Sequence, residues 1–253
     1  MAPVIWGLDL KEIHWNKFKS SNMWSNVYHL RKTKFIVYQI AMILCVCSES
    51  VGTAAIDDYV KQQRHLEHLF TPRGPSIFNN DYVGIASYNI FVGIAVATVF
   101  GAGFFFDLFW PERSEAPWVK RAWKASALVV CVMILADALA FTVIVAMHEA
   151  HFIGIGVEAG QAALATLGEP NPTLVYRKYA KCVAAVCLLW PGAVATFAST
   201  AVLFQSAKYQ RKNGVFSKHY RVDSKEASLD PKRTLSRPFR RGSTAEAETE
   251  AEA

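Results

Sequence analysis

Asp137 stands in the run Leu135-Ala136-Asp137-Ala138-Leu139, an ionisable side chain with only apolar neighbours. Glu49 and Asn89 interrupt two other apolar blocks, and Lys181 opens a fourth. A charge at the middle of a hydrocarbon layer costs at least ~2.5 kcal/mol on insertion scales, so each of these groups is a candidate for function. Two carboxyls facing one apolar interior do not both ionise readily, and one proton would be shared between them. A layer of Glu49, Asn89 and Asp137, with Lys181 above it as counter-charge, has the chemistry of a proton-sensitive or ion-binding site. The same residues also suit an architectural role, in which an acid bonded to Asn89 or Ser48 orients the helices.

A second constellation is made of histidines. His65-Leu66-Glu67-His68 and His148-Glu149-Ala150-His151 each place two imidazoles at i, i+3 spacing with a glutamate between them. On a helix both rings of a pair share a face. Imidazole with carboxylate suits Zn²⁺ or Cu²⁺, provided that His65, His68, His148 and His151 meet in space. His-Glu-Ala-His is not the His-Glu-X-X-His of zinc proteases, and no catalytic constellation or cofactor motif is read. Interfacial histidines bonded to headgroups or water are the plainer alternative.

The elements that carry these groups are set by the distribution of apolar residues. The chain has 253 residues, 52% apolar, with a net charge of +6. The apolar residues form four blocks at 35–56, 83–106, 125–147 and 182–204, with the charges between and after them. At ~1.5 Å rise per residue each block spans a hydrocarbon core of ~30 Å. The blocks are apolar all round, as lipid-embedded helices are. This excludes a soluble enzyme domain with a mixed core. It also excludes a nucleic-acid-binding module, because the basic residues flank membrane-length segments. The predicted fold is all-α: a polytopic four-helix bundle (35–206), a partly interfacial N-terminal segment (1–34) and a disordered tail (207–253).

Orientation follows from lysine and arginine. The segment before the first block, the short middle link and the tail together hold 21 of them, and the other two links hold six. Both termini are therefore expected in the cytosol, in the plasma membrane or a secretory-pathway membrane. The first block is too long for a cleavable signal and is expected to direct its own insertion. Counted from the bilayer surfaces, Asp137 lies ~18 Å deep, Glu49 ~21 Å, and Asn89 ~9 Å from the opposite side, which puts all three at a similar level. The cysteines all fall within or at the edge of a block, so they read as small apolar packers and not as a disulfide framework.

Helices in lipid associate through small residues. Gly93, Ala97 and Gly101 form one stripe; Ala41, Cys45, Ser48 and Gly52 form another; Ala185, Gly192, Ala195 and Ser199 form a third, with Pro191 as a kink. These stripes serve intramolecular packing or a homo-oligomer. The tail is basic to Arg241 and then acidic. Its basic part would attract anionic lipid at ~1 kcal/mol per charge. Ser236 and Ser243, each preceded by basic residues, would weaken that attraction when phosphorylated.

The run Phe104-Phe105-Phe106-Asp107-Leu108-Phe109-Trp110-Pro111-Glu112-Arg113, with Ala122-Trp123-Lys124 opening the third block, resembles fungal four-span membrane proteins. The both-ends-in layout over about 30–210 resembles MARVEL-like proteins. That resemblance implies membrane organisation and vesicle traffic, and it implies no catalytic residue. The tetraspanin Cys-Cys-Gly and the claudin-like Trp…Cys…Cys signatures are missing. The reading favoured by the sequence is a non-enzymatic organiser or interaction scaffold. The alternatives are a proton- or ion-coupled channel or transporter subunit built on Glu49, Asn89 and Asp137, and a metal- or lipid-handling protein built on the histidines.

Overall fold

The computed structural model describes residues 13–70, 75–113, 115–168 and 171–222, together with the backbone of Val4–Ile5 and Leu8–Asp9, which pair as β1 and β2. Four long helices dominate: α2 (Arg31–Leu69), α3 (Asn80–Phe109), α4 (Pro117–Met147) and α6 (Ala180–Asn213). Each is long and apolar enough to cross a membrane. Two short helices, α1 (Ser20–Met23) and α5 (Val157–Leu164), lie outside the bundle. Each of the four apolar blocks of the sequence lies within one long helix.

The helices form a closed ring. α2 packs on α3 and α6, and α4 packs on the same two, so the first and last spans are neighbours. The buried residues of α2 include Arg31, Tyr38, Cys45, Gly52, Tyr59 and Leu66, and Lys34, Ala41, Ser48, Ala55 and Gln62. Both series step by seven, the period of a left-handed helical bundle. Ile36, Ile40 and Ile43 of α2, Leu128, Val132, Leu135 and Leu139 of α4, and Val194 and Phe197 of α6 point outward. Four helices of membrane-crossing length with apolar side chains turned outward make the chain a membrane protein.

At one end, here called the sheet end, α2 does not stop at residue 56. It continues to Leu69 because Asp58, Tyr59, Gln62 and Leu66 carry its buried stripe onward. Strands β3 (Ser76–Phe78) and β4 (His151–Ile153) pair antiparallel, with Ile77 opposite Phe152, and join the first link to the third. The sequence offered no strand here, since three-residue strands have too little alternation to be read.

At the other end, the termini end, the helix likewise runs past residue 206. α6 continues to Asn213, and Gly214 takes a left-handed φ of 77° that reverses the chain. Phe216 then bridges to Tyr28, and the amide of Ser217 donates to the carbonyl of Val27 at 2.8 Å. The disordered tail expected from 207 is thus contradicted as far as 222, because the chain after the turn finds backbone partners in the N-terminal segment. The remainder of the tail, with Ser236, Ser243 and most of its basic charge, lies outside the described residues.

Candidate functional site

The mid-bundle level is built around Ser48. Its hydroxyl donates to the carbonyl of Ala185 on α6 at 2.8 Å and accepts from Nδ2 of Asn89 on α3 at 3.3 Å. One turn further along α2 is Gly52. A Cβ there would lie 3.6 Å from Nδ2 of Asn89 and 3.9 Å from both Ala185 Cβ and Phe141 Cζ. All four spans converge on that glycine. Interhelical hydrogen bonds of this kind average ~0.6 kcal/mol in membrane bundles, so the triad orients three helices more than it stabilises them.

Asp137 is one turn before Phe141, as Ser48 is one turn before Gly52, which puts Asp137 on the level that the depth arithmetic gave. Its side chain is 0% exposed and neither carboxyl oxygen has a hydrogen-bond partner. Glu49 lies in the seam between α2 and α3. One of its oxygens is buried without a partner, and its carboxyl occupies the space left by Gly93, where a Cβ would collide with it. Gly93 in the predicted packing stripe is therefore a seat for Glu49. Gly101 serves the same seam, where a Cβ would stand 3.2 Å from Sδ of Met42, and Ala97 between them is half-buried. Glu49, Asn89 and Asp137 share a level, but no hydrogen bond joins them. Asn89 is bonded to Ser48.

Lys181 is not placed above this layer as a counter-charge. It pairs with Asp58 of α2, which also accepts from the Tyr179 hydroxyl at 2.5 Å and is 2% exposed. Beside it, Asp81 accepts from the hydroxyl of Tyr176 at 2.8 Å and bonds Nδ1 of His148 at 2.8 Å. Burial, reinforced by the Asp81 carboxylate, pushes the Tyr176 phenol up from its ordinary value. The rings of Tyr59, Tyr82, Tyr176 and Tyr179 fill the space between the two acids, with Tyr59 within 5.9 Å of the other three. Sequence reasoning missed Asp58 and Asp81. The signal available for Asp58 was its place beside Tyr59 on the continuing buried face of α2.

The histidines are dispersed. The β3–β4 pair does bring the two links together, yet His65 Nε2 bonds Thr166 Oγ1 at 2.9 Å, His148 bonds Asp81, and His151 stacks on Phe78 with 4.9 Å between centroids. His68 is exposed. His148 caps α4 with extended backbone and His151 starts β4, so their i, i+3 spacing never acts on a helix face. Among the described residues no group of three or more His, Cys, Asp or Glu is placed to hold a metal ion. The five cysteines are unbridged: Cys45, Cys131 and Cys182 are buried, while Cys47 and Cys187 face outward.

At the termini end, Asp107 is the hub of a chain of ion pairs. It meets Lys34 Nζ at 2.7 Å and Arg113 Nη1 at 3.1 Å, and Arg113 Nε meets Glu115 at 2.5 Å. Lys34 and Arg113 clasp α2 to the α3–α4 turn. Two clefts open beside this clasp. Residues from Lys17 to Arg31, with Leu108 and Pro111, line one of about 120 Å³. Tyr28, His29, Arg31, Lys34, Asp107 and Gln210 are among those lining the other. Neither is lined by Glu49, Asn89 or Asp137. Compared with family models, with curated proteins and with solved structures, the chain matches none.

Proposed function

We propose that this membrane protein is a non-enzymatic organiser of MARVEL-like type, with both termini in the cytosol. The observation that carries this reading is where its intramembrane polar groups are spent. Ser48 and Asn89 tie α2, α3 and α6 together. Cys131 meets Thr200 across α4 and α6, and Trp190 Nε1 donates to Thr142 at 3.0 Å. These bonds lock helix to helix and leave broad apolar faces turned to lipid and to other spans. In this reading the basic tail engages anionic lipid, and small residues left at the outer seams serve a homo-oligomer.

One observation favours a second reading, a proton- or ion-coupled subunit: the fully buried Asp137 carboxyl has no bonded partner. Hydrogen-bonded acids are the rule inside proteins, and an unbonded one in a membrane span is the kind of group that proton carriers use. Proteoliposomes loaded with a pH-sensitive dye separate the two. The organiser reading expects acidification no faster than in protein-free vesicles, for the wild type and for Asp137→Asn alike. A flux in the wild type that Asp137→Asn abolishes, with the variant still monodisperse, overturns it in favour of the second.

A further inference from the structure

Arg31 begins α2 and is 6% exposed, yet it forms no hydrogen bond or ion pair among the described residues. Its guanidinium lies over the Tyr28 ring at 5.1 Å and the Phe35 ring at 5.2 Å. Those rings satisfy the faces of the cation but not its N–H edge, and Nε is buried without a partner. The acids nearby are already taken. Asp107 is held by Lys34 and Arg113, and Glu112 accepts from the Tyr28 hydroxyl at 3.0 Å. An arginine does not shed its proton to escape this situation. A buried guanidinium with an unbonded N–H edge has the chemistry of an anion-binding group.

The surroundings fit that description. Arg31 lines the 120 Å³ cleft together with Lys17, Asn22 and Ser25, a second cation and two small polar side chains. Phe18 fixes the turn that bears Lys17 by packing edge-on against Phe109 at 5.7 Å. The first turn of α2 has no side-chain cap, and Leu30 before it holds a left-handed φ of 55°, uncommon for a residue other than glycine. The uncapped first turn of α2, which Arg31 opens, adds the partial positive charge of a helix N-terminus near the guanidinium. The cleft is smaller than the ~300–1,000 Å³ of pockets that enclose whole small molecules, so it suits a single phosphate group. It lies at the start of α2, four residues before the apolar block that opens at Phe35.

We propose that this cleft binds one phosphate oxyanion, clasped by the N–H edge of Arg31 with Lys17 as the second charge. A phosphorylated lipid headgroup of the leaflet at this end is one source, and free phosphate is the other. The planar fork of arginine matches two phosphate oxygens, which a lysine in its place does not.

Native mass spectrometry of the purified full chain tests this, with phosphatidic acid as the probe and diacylglycerol as the same tails without the phosphate. One phosphatidic acid per chain is expected, held at least ~10-fold more tightly than diacylglycerol, on the scale of charge-assisted hydrogen bonds. Arg31→Gln is expected to weaken it about 10-fold or more, and Lys17→Ala and Arg31→Lys by several-fold each. Lys218→Ala, a cation at the same end but outside the cleft, is expected to leave it unchanged. Displacement of the lipid by inorganic phosphate alone identifies the free anion as a sufficient ligand; resistance to it identifies the headgroup. Equal binding of diacylglycerol, wild-type affinity in Arg31→Gln, or an equal loss in Lys218→Ala overturns the proposal. Should Arg31→Gln fail to fold, Lys17→Ala and Arg31→Lys against Lys218→Ala carry the same decision.

Discussion

Replacing Gly192 by alanine puts a methyl group 3.1 Å from Sγ of Cys45, and 3.5 Å from both the Cys45 amide nitrogen and Leu44 Cβ. Gly192 thus lies where α6 packs closely against α2. The two 3.5 Å approaches are ordinary van der Waals contacts; the approach to sulfur is not. Overpacking of this kind costs ~1–3 kcal/mol, and the helix-forming advantage of alanine over glycine returns up to ~1 kcal/mol. With the full return, the net expectation for Gly192→Ala is a loss of ~0–2 kcal/mol, centred on about 1 kcal/mol. Truncating the sulfur removes the only tight contact, so in a Cys45→Ala background the same substitution should be neutral or stabilising. The coupling read from the double-mutant cycle should therefore be about 1 kcal/mol or more. Reversible unfolding in mixed detergent micelles, followed by tryptophan fluorescence, supplies the four stabilities. The reasoning is refuted if Gly192→Ala costs the same with and without the Cys45 sulfur.

Two further expectations concern the ends of the bundle. Asp58→Asn retains an acceptor for Tyr179, whereas Lys181→Met leaves a buried carboxylate without its cation; the latter should be the more destabilising, by about 1.5–3 kcal/mol, and the same unfolding assay ranks them. His29 stacks on Tyr209 at 3.5 Å, and burial together with Lys34 and Arg221 lowers its pKa from 6.5. The unfolded chain therefore takes up the proton first as pH falls, so stability should decline below about pH 6.5 until the depressed folded value is reached. His29→Gln should remove that part of the slope in melts between acidic and neutral pH, and an unchanged slope would assign the effect to other groups.

What the sequence disclosed was one-dimensional information. The apolar blocks lie in four separate helices because hydropathy along a chain needs no knowledge of neighbours. Relative position along each helix was partly legible: residue counting put Glu49, Asn89 and Asp137 at a similar level, and Asn89 does bond Ser48, the neighbour of Glu49. Azimuth was not. Nothing in the sequence said that Glu49 turns toward Gly93 while Asp137 turns inward, so the layer is a level without a bonded cluster. Lys181 shows the same gap. Counting placed it near the membrane surface, but its acid, Asp58, lies on a part of α2 beyond the apolar block, where the helix was taken to have ended. The resemblance-bearing run contains both Asp107 and Arg113 but gave no hint that they pair, because Arg113 reaches Asp107 only across the turn after α3, and Lys34 comes from another helix.

The seam between α2 and α6 sets the order in which the molecule can be finished. Synthesis proceeds from the N-terminus, so α2 is in the bilayer long before α6 exists. Until then the Ser48 hydroxyl has no Ala185 carbonyl to bond, the groove that accepts Gly192 stands open, and Asp58 waits for Lys181. The polar and small-residue face of α2 that these groups form is thus covered only when the last helix is in place. Contacts between the two ends of a chain are the slowest to form. Completing this seam therefore depends on the final span, and loss of α6 takes away the partners of Ser48 and Asp58.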